Sequence, residues 1–338
     1  MTPPPPGRRR STVHDVAKVA GVSRGTVSRV LNGGYVSDQA REAIQAAIRE
    51  VGYVPNTAAR NLVRQRTQAV GFIVHEPHSL FLEDPNIGGI MLGANTALSN
   101  ADYQMVCVVV DTERDTDRVV RYLSGGFVDG AVIVSARHHD PITDVVERLG
   151  LPVAYVGHPP GISRPWVGID NHGAARALTE RLRETGRRRI GMIAAALDRD
   201  SGSDRLAGFR EALGDDFDEN LVESVPLYAY ADGEAGMRRL LERAPDIDAV
   251  FGASDAVAAG ALQALRAAGR RVPDDVGVVG FDDSAWASRT DPQLSTVDQP
   301  AEGLGAAAAE AVLLQLSGGV AEADGILLDA PIVWRASA

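Results

Sequence analysis

The stretch that decides the fold of the N-terminal part is residues 21–32, which read Gly21-Val22-Ser23-Arg24-Gly25-Thr26-Val27-Ser28-Arg29-Val30-Leu31-Asn32. Val27, Val30 and Leu31 recur at helical spacing, and Arg, Ser and Thr side chains occupy the other face. Ser23 is a natural N-cap, and Gly21 can adopt the positive φ that ends a preceding helix. The pattern therefore predicts two short helices joined by a tight glycine turn.

The flanking residues extend this unit on both sides. Thr12-Val13-His14-Asp15 is a capping-box pattern that begins the first helix. Ser37 is suited to cap a third helix, and Gly52 is suited to end it. After the extended residues 53–55, residues 56–62 have room for one or two helical turns, which are marginal alone in water. The series predicts a helix-turn-helix that inserts its second helix into DNA, followed by a hinge segment that is helical only when bound.

Charge divides the chain in the same way. Residues 1–66 hold eleven Arg and Lys against four Asp and Glu, so this part carries +7 and the remainder of the chain carries −18. A basic part joined to an acidic part indicates that only the first meets a polyanion. Residues 1–11 hold four consecutive prolines and three arginines, which predicts a disordered basic tail.

Composition excludes several classes of protein. The single cysteine, Cys107, rules out an intrachain disulfide framework or a cysteine zinc cluster, and its apolar neighbours predict that it is a small buried residue. The seven histidines show no metal-binding pair. We find no transmembrane span and no apolar signal core, and expect a cytoplasmic protein that needs no membrane and no cofactor.

From residue 68 onwards, β-branched runs alternate with Ala- and Arg-rich helical stretches. The predicted strands are Val70–His75, Gln104–Val110, Gly130–Ser135, Val153–Gly157, Trp166–Asp170, Arg189–Ala194, Ala249–Ala253 and Val276–Phe281. Continuous apolar runs are typical of parallel strands that are buried on both faces. The alternation predicts a doubly wound α/β body.

The N-terminal pattern resembles the DNA-binding domain of the LacI/GalR family of bacterial transcriptional regulators. The matching residues are Val13-His14-Asp15-Val16-Ala17, Gly21-Val22-Ser23, Thr26-Val27-Ser28-Arg29-Val30-Leu31-Asn32, Gly52-Tyr53-Val54-Pro55-Asn56 and Ala59-Arg60-Asn61-Leu62. The resemblance implies an all-α helix-turn-helix domain (12–55) with a hinge helix and linker (56–67). It also implies a periplasmic-binding-protein-like body (68–338) of two doubly wound subdomains. The N-subdomain would take about 68–165 and 297–323, and the C-subdomain about 166–296 and 324–338.

The same resemblance implies the DNA contacts. Arg24 and Gly25 match the positions that select operator bases, Arg29 a major-groove contact, and Leu62 the residue that wedges into the minor groove and kinks it. Ordinary packing is the alternative for Leu62. The full set of expected DNA-binding residues is Thr12, Ser23, Arg24, Gly25, Thr26, Ser28, Arg29, Asn32, Asn56, Ala59 and Leu62. The partners implied are double-stranded operator DNA and a second copy of the chain, as a homodimer or dimer of dimers.

Ligands in open α/β sheets bind at the carboxyl ends of the strands, so polar residues there are the candidates for an effector site. The resemblance assigns Arg205 and Asp282 to the effector cleft, where a guanidinium and a carboxylate suit the hydroxyls of a sugar or glycoside. The expected effector-binding residues are His75, Phe81, His158, Asp170, Arg205, Tyr230, Ser254, Asp282 and Gln299.

Several of these assignments have a plainer alternative. Asp255 and its neighbour Ser254 are also suited to cap the following helix, and His75 and His158 could be solvated loop residues. Family members carry aromatic residues before the first helix of the body, where this chain has Asp84-Pro85-Asn86-Ile87. Phe81 is expected to replace those aromatic residues in the effector site. A ring that stacks on the ligand is expected from Tyr230 or Trp286.

These features favour a ligand-responsive transcriptional regulator, which we expect to be a repressor. A nucleoside or purine is the second effector class, and a solute-binding protein without a regulatory role is the rival reading. An enzyme is not favoured, because residues 252–256 lack the last glycine of a nucleophile elbow and residues 88–93 lack the Lys of a P-loop.

Overall fold

A computed structural model describes residues 11–31, 33–53, 66–137, 140–159, 161, 163–321 and 325–338. The chain divides into two compact units, Met1–Arg66 and Thr67–Ala338. Among the residues that the structure describes, no helix combines the length and the apolar composition that a membrane crossing requires.

The first unit contains the predicted helices α1 (Val13–Ala20), α2 (Arg24–Leu31) and α3 (Asp38–Val51). The Thr12 hydroxyl accepts from the Asp15 N–H and the Asp15 carboxylate accepts from the Thr12 N–H, which completes the capping box. Gly21 and Gly52 adopt positive φ where α1 and α3 end. The small core consists of Val16, Ala17, Val27, Ile44, Ala47 and Tyr53.

The second unit contains two sheets, and we call each sheet with its flanking helices a lobe. The first lobe has the parallel strand order β11-β5-β4-β3-β1-β2 among the described residues. These strands are β1 (Ala69–Val74), β2 (Gln104–Val109), β3 (Gly130–Val134), β4 (Val153–Val156), β5 (Trp166–Ile169) and β11 (Ile326–Leu328). Its helices are α4 (His78–Glu83), α5 (Pro85–Asn100), α6 (Glu113–Ser124), α7 (Pro141–Leu149) and α13 (Ala301–Leu316).

The second lobe has the parallel order β7-β6-β8-β9 in the part of the chain that the structure describes. Its strands are β6 (Ile190–Ala195), β7 (Val222–Val225), β8 (Ala249–Gly252) and β9 (Gly277–Val279). Its helices are α8 (Asn171–Glu184), α9 (Asp200–Leu213), α10 (Tyr230–Arg243), α11 (Asp255–Ala267) and α12 (Ala285–Arg289). A short antiparallel pair, β10 (Thr296–Val297) and β12 (Ile332–Val333), lies where the chain passes between the lobes.

The predicted strands are confirmed, but two boundaries between the subdomains differ from the expected ones. Residues 166–169 were expected in the C-subdomain, yet β5 pairs with β4 in the first lobe. β11 was also expected in the C-subdomain, and it pairs with β5. The backbone pairing of β11 with β5 places both strands in one sheet, and the chain returns to the second lobe after β11, where Val278 N–H donates to Ser337 O.

The exposure of Cys107 also differs from the expectation. The residue lies on β2, which is the last strand of its sheet and pairs with β1 on one side only. The thiol is exposed. An apolar run therefore predicted the strand correctly and the burial wrongly, because burial depends on what covers the edge strand.

Candidate functional site

The outward face of α2 carries the residues expected to contact DNA. Ser23 accepts from the Thr26 N–H at 3.1 Å, so it is the N-cap that the sequence predicts. Val27 is buried, whereas Arg24, Gly25, Ser28 and Arg29 are exposed and Thr26 is half-buried. A Cβ at Gly25 would meet only Ser23 Oγ, at 3.6 Å, so folding of the domain does not require glycine there. Asn32, Asn56, Ala59 and Leu62 lie outside the described residues.

The second unit has a cavity of about 100 Å³ between its two lobes. Its walls come from loops that follow the carboxyl ends of strands in both sheets, which is where open α/β sheets bind ligands. The charged and polar lining residues are Glu76, Asp84, Asn86, Ser135, Asn171, Arg199, Asp200, Ser201, Arg205, Tyr228, Asp282 and Gln299.

Arg205, from α9, is the centre of this cleft and is 4% exposed. Its Nε donates to Asn171 Oδ1 at 2.9 Å, and its Nη1 donates to the carbonyl oxygen of Ala253 at 2.6 Å. Its Nη2 donates to Gln299 Oε1 at 3.1 Å and lies 3.2 Å from Asp282 Oδ1. The orientation of the guanidinium is therefore fixed by three side chains and one backbone carbonyl, which is the arrangement that fixed recognition of hydroxyls requires.

Two aromatic rings lie beside the same guanidinium. The Arg205 Cζ is 3.7 Å from the centre of the Phe281 ring and 5.5 Å from the centre of the Tyr228 ring. The Tyr228 hydroxyl lies 3.0 Å from Ser201 Oγ. Tyr228 lines the cavity and so presents an apolar ring beside charged groups, which is a combination suited to the alternating apolar and polar surface of a sugar.

Burial changes the acidity of the cleft carboxyls. It raises the pKa of Asp282 well above its usual range, although Arg205 opposes the shift. It also raises the pKa of Asp84 to about 6, with a further rise from the nearby Glu76 charge. Burial at Asp84 and Asp282 thus disfavours negative charge, which favours an uncharged, hydrogen-bonding ligand over an anionic one.

Two family models match the chain. Residues 12–56 match "Bacterial regulatory proteins, lacI family", and residues 179–338 match "Periplasmic binding protein-like domain". The HTH-type transcriptional regulator CelR of Thermobifida fusca is 44% identical over 98% of this chain and 99% of its own length. This chain belongs to the LacI family. It is a ligand-responsive transcriptional regulator.

The chain is also similar to a further curated relative and to solved structures. The ribose operon repressor of Halalkalibacterium halodurans is 33% identical over 90% of each chain. A solved structure of a CelR–cellobiose complex is 41% identical, covers 97% of this chain and 100% of its own, and has a TM-score of 0.77. The lac repressor dimer bound to operator and an anti-inducer is 25% identical over 97% and 99% of the two chains, with a TM-score of 0.86.

Several residues expected to bind the effector have other contacts in this LacI-family structure. Ser254 caps α11 by accepting from the Val257 N–H. Asp170 caps α8 by accepting from the Gly173 N–H. Neither residue is part of the cavity lining. Capping explains both positions, because each side chain directly precedes a helix.

The two predicted histidines lie at the edge of the cleft rather than in it. His75 Nδ1 is 2.7 Å from a carboxylate oxygen of buried Asp140. The ring of His158 stacks on Trp166 with the centres 4.4 Å apart, and its backbone N–H donates to Asp200. Each histidine is next to a residue that lines the cavity, Glu76 and Gly157 respectively, so its loop reaches the cavity while its own side chain is not part of the lining.

The two predicted aromatic residues line a different cavity. Phe81 and Tyr230 border a space of about 730 Å³ between α4 and α5 of the first lobe and α10, α11 and α12 of the second. The Tyr230 ring stacks on Trp286 there, with the centres 5.5 Å apart. α10 begins at Tyr230, so its ring turns away, and the ring that faces the cleft is Tyr228 of the preceding loop.

The sequence argument missed Tyr228, Asn171, Arg199 and Asp84 as lining residues. Asn171 is the second residue after the end of β5, next to Asp170, which the sequence argument had selected as the polar residue at the end of that strand. Arg199 lies six positions before Arg205 in the same loop-to-helix region, but only its partner in the other lobe reveals its place.

Proposed function

We propose that this LacI-family regulator binds a near-palindromic operator as a homodimer or dimer of dimers, and that a neutral sugar or glycoside bound in the cleft changes its affinity for DNA. The observation that carries the effector class is the fixed Arg205–Asp282–Gln299 cluster. Because its guanidinium is already oriented by buried partners, it can take a pair of hydroxyls without reordering.

The DNA-binding part of the proposal is supported by the exposed face of α2. Two copies of this helix reach successive major grooves when half-sites lie about one helical turn apart, and the hinge residues then meet in the central minor groove. The lac repressor dimer on its operator is a relative of similar fold over nearly all of this chain. We propose repression as the direction of control and the cytoplasm as the place of action.

Cellobiose is the first effector to test, because CelR, a relative at 41% identity over 97% of this chain, is described as a complex with it. The Tyr228 ring beside Arg205 could face either a sugar ring or a nucleobase, so nucleosides form the second class in the experiment. We propose that the chain acts by binding and not by catalysis, as its regulator relatives do.

The experiment has two steps. Thermal unfolding of the full chain is recorded with cellobiose, monosaccharides and nucleosides, and each ligand that raises the midpoint is carried forward. Binding to palindromic duplexes selected from a random pool is then measured by fluorescence anisotropy at fixed salt, with and without that ligand. Absence of any duplex preference over random DNA contradicts the operator proposal. A shift with nucleosides and none with sugars contradicts the effector class.

A further inference from the structure

One carboxylate of the first lobe holds the backbone at the point where the chain enters the second unit. Thr67 is the first residue of that unit. Asp129 Oδ1 accepts from the Thr67 N–H at 2.7 Å and from the Thr67 hydroxyl at 2.9 Å, and Asp129 Oδ2 accepts from the Gln68 N–H at 2.8 Å. The Asp129 N–H in turn donates to the carbonyl oxygen of Ala69 at 2.8 Å. We call Asp129 with Thr67 and Gln68 the anchor.

The second lobe has a similar arrangement at the corresponding place. Asp248 Oδ2 accepts from the Arg188 N–H at 2.9 Å, and Asp248 Oδ1 accepts from the Arg189 N–H at 3.0 Å. In both lobes the aspartate directly precedes a strand, β3 or β8, and holds the two residues before the parallel neighbour of that strand, β1 or β6. Each aspartate therefore supports its own sheet, and a role particular to the first lobe has to be separated from this shared one.

The anchor has two features beyond those of the Asp248 arrangement. The Thr67 hydroxyl gives the carboxylate a third donor, and its oxygen accepts from the Ala69 N–H at 3.3 Å. Gln68 has a φ of 54°, a left-handed conformation that residues other than glycine rarely adopt, whereas Arg189 at the matching position does not have a positive φ. This conformation turns the backbone directly before β1. The anchor therefore sets the starting direction of the segment that precedes Thr67.

Two neighbouring strands connect the anchor to the effector cleft. The anchor lies at the amino ends of β1 and β3, whereas Glu76 and Ser135, just after their carboxyl ends, line the cavity. The two strands pair in parallel from Val70 to Val74, and every residue of both is buried. Closely packed strands are rigid elements that transmit strain along their length. A change in the cleft loops therefore reaches Asp129 and Thr67 together.

We propose that Asp129 is the positioning residue through which the effector cleft controls the linker to the DNA-binding unit. The proposal rests on the proposed function in one respect, namely that an effector in the cleft changes the affinity for DNA. The three hydrogen bonds to Asp129 attach Thr67 and Gln68 to the strands, so the linker begins at a fixed point. Without them the tether is longer by the released residues, which lowers the effective concentration of the second DNA-binding unit once the first has bound.

Asp129→Asn tests the anchor with little change in the shape of the side chain. The amide replaces one acceptor oxygen by an NH₂ donor, so a donor of Thr67 or Gln68 loses its acceptor. Asp248→Asn is the matched control, because Asp248 is also half-buried and accepts from two backbone N–H groups, but in the second lobe. Both variants are made in the full chain.

The first measurement is amide hydrogen exchange, read by mass spectrometry without DNA or effector. We expect Asp129→Asn to exchange faster than the wild type in peptides that cover residues 66–70, and Asp248→Asn to exchange faster only in peptides that cover residues 187–191. Unchanged exchange at residues 66–70 in Asp129→Asn would overturn the anchor. Faster exchange throughout the second unit would show a general loss of folding and would also count against it.

The second measurement is operator affinity by fluorescence anisotropy at fixed salt, with and without cellobiose. We expect Asp129→Asn to lower operator affinity severalfold and to remove its dependence on cellobiose, while calorimetry without DNA gives an unchanged cellobiose affinity. Asp248→Asn should keep the wild-type values of all three.

The conservative variants of Thr67 refine the result. Thr67→Val, which removes only the hydroxyl donor, should weaken the effect of cellobiose on operator affinity, and Thr67→Ser should retain it. A full cellobiose effect in Asp129→Asn, or an equal loss in Asp248→Asn, would overturn the proposal. If cellobiose does not change operator affinity in the wild type, the effector assignment fails, and hydrogen exchange with the operator affinity in the absence of cellobiose still decides the anchor.

Discussion

Tyr228 and Tyr230 lie two positions apart and face different cavities. Tyr228 is beside Arg205 in the cleft, whereas Tyr230 stacks on Trp286 in the larger cavity. A pattern of aromatic residues in the sequence marks this region but does not decide between the two rings, because the change from loop to helix at Tyr230 sets their directions.

The two tyrosines allow a matched prediction. Tyr228→Leu keeps an apolar side chain but removes the ring beside the ligand, and we expect cellobiose affinity to fall about 10-fold, which corresponds to the ~1.4 kcal/mol of a stacking contact. Tyr230→Leu should leave the affinity within about twofold. Isothermal titration calorimetry on both variants checks the pair. Equal losses in the two variants would contradict the placement of Tyr228 in the effector site.

Asp84 gives a prediction about pH. Burial raises its pKa to about 6 in the folded chain, whereas the unfolded carboxyl keeps its usual value of 3.8. The folded state thus binds this proton more tightly, so its contribution to stability is full below about pH 4 and is lost as the pH rises through 6.

Asp84→Asn removes that dependence and can keep the acceptor for the Asn86 N–H. We expect the variant to be about 1 kcal/mol more stable than the wild type at pH 7.5, a value reduced from the full shift because the residue is only partly buried. The difference should shrink as the pH approaches 4. Urea unfolding across this range measures it, and a gain that is larger at pH 4.5 than at pH 7.5 would reverse the assigned sign.

Helix α2 combines weak intrinsic helix preference with an exposed face. Gly25→Ala should stabilise α2 by up to about 1 kcal/mol, because alanine favours the helix and the added Cβ has room. We also expect operator affinity to fall, since the added methyl group occupies surface where the backbone would approach DNA. Thermal unfolding and anisotropy at one salt concentration test the two effects. Unchanged operator affinity would remove the functional reason for glycine here.

Helices α5 and α13 illustrate the opposite situation, in which packing requires glycine. A Cβ at Gly305 would lie 1.9 Å from the carbonyl oxygen of Ile90, and a Cβ at Gly93 would lie 1.9 Å from that of Glu302. At these two glycines, therefore, the backbones of the two helices approach too closely to admit a side chain. This contact packs α13, which follows the second lobe in the chain, against α5 of the first lobe.

Gly305→Ala should consequently lower the free energy of unfolding by about 1–3 kcal/mol, because the helices must move apart. Gly88→Ala, on α5 but with nothing within 4 Å of the new Cβ, is the control. It should be neutral or stabilising by up to about 1 kcal/mol. Denaturant unfolding of both variants gives the comparison, and a neutral Gly305→Ala would show that the contact can relax.

For the chain as a unit, the proposed function requires that DNA and effector affect each other equally. Typical couplings of about 1–3 kcal/mol change affinity roughly 5–150-fold, and the factor must be the same in both directions. We expect cellobiose affinity to change by that factor when the selected operator is present. Calorimetric titrations with and without operator measure it, and equal affinities in the two conditions would exclude coupling between the cleft and the DNA-binding unit.

The sequence by itself determined the features that depend on neighbouring residues. Helix caps such as Thr12, Ser23 and Ser37 and the parallel strands follow from local patterns. The resemblance to the LacI/GalR family assigned Arg205 and Asp282 from short motifs, each within one loop. These features need no knowledge of distant residues, because periodicity and capping act over a few positions.

Tertiary structure alone decided the sheet that takes β5 and β11, the exposure of Cys107, and the tyrosine that faces the cleft. It also decided the Glu76–Arg199 ion pair, since these residues are 123 positions apart and meet only because two sheets place the carboxyl ends of β1 and β6 opposite each other. Such contacts leave no local signal, since each partner alone resembles an ordinary charged loop residue.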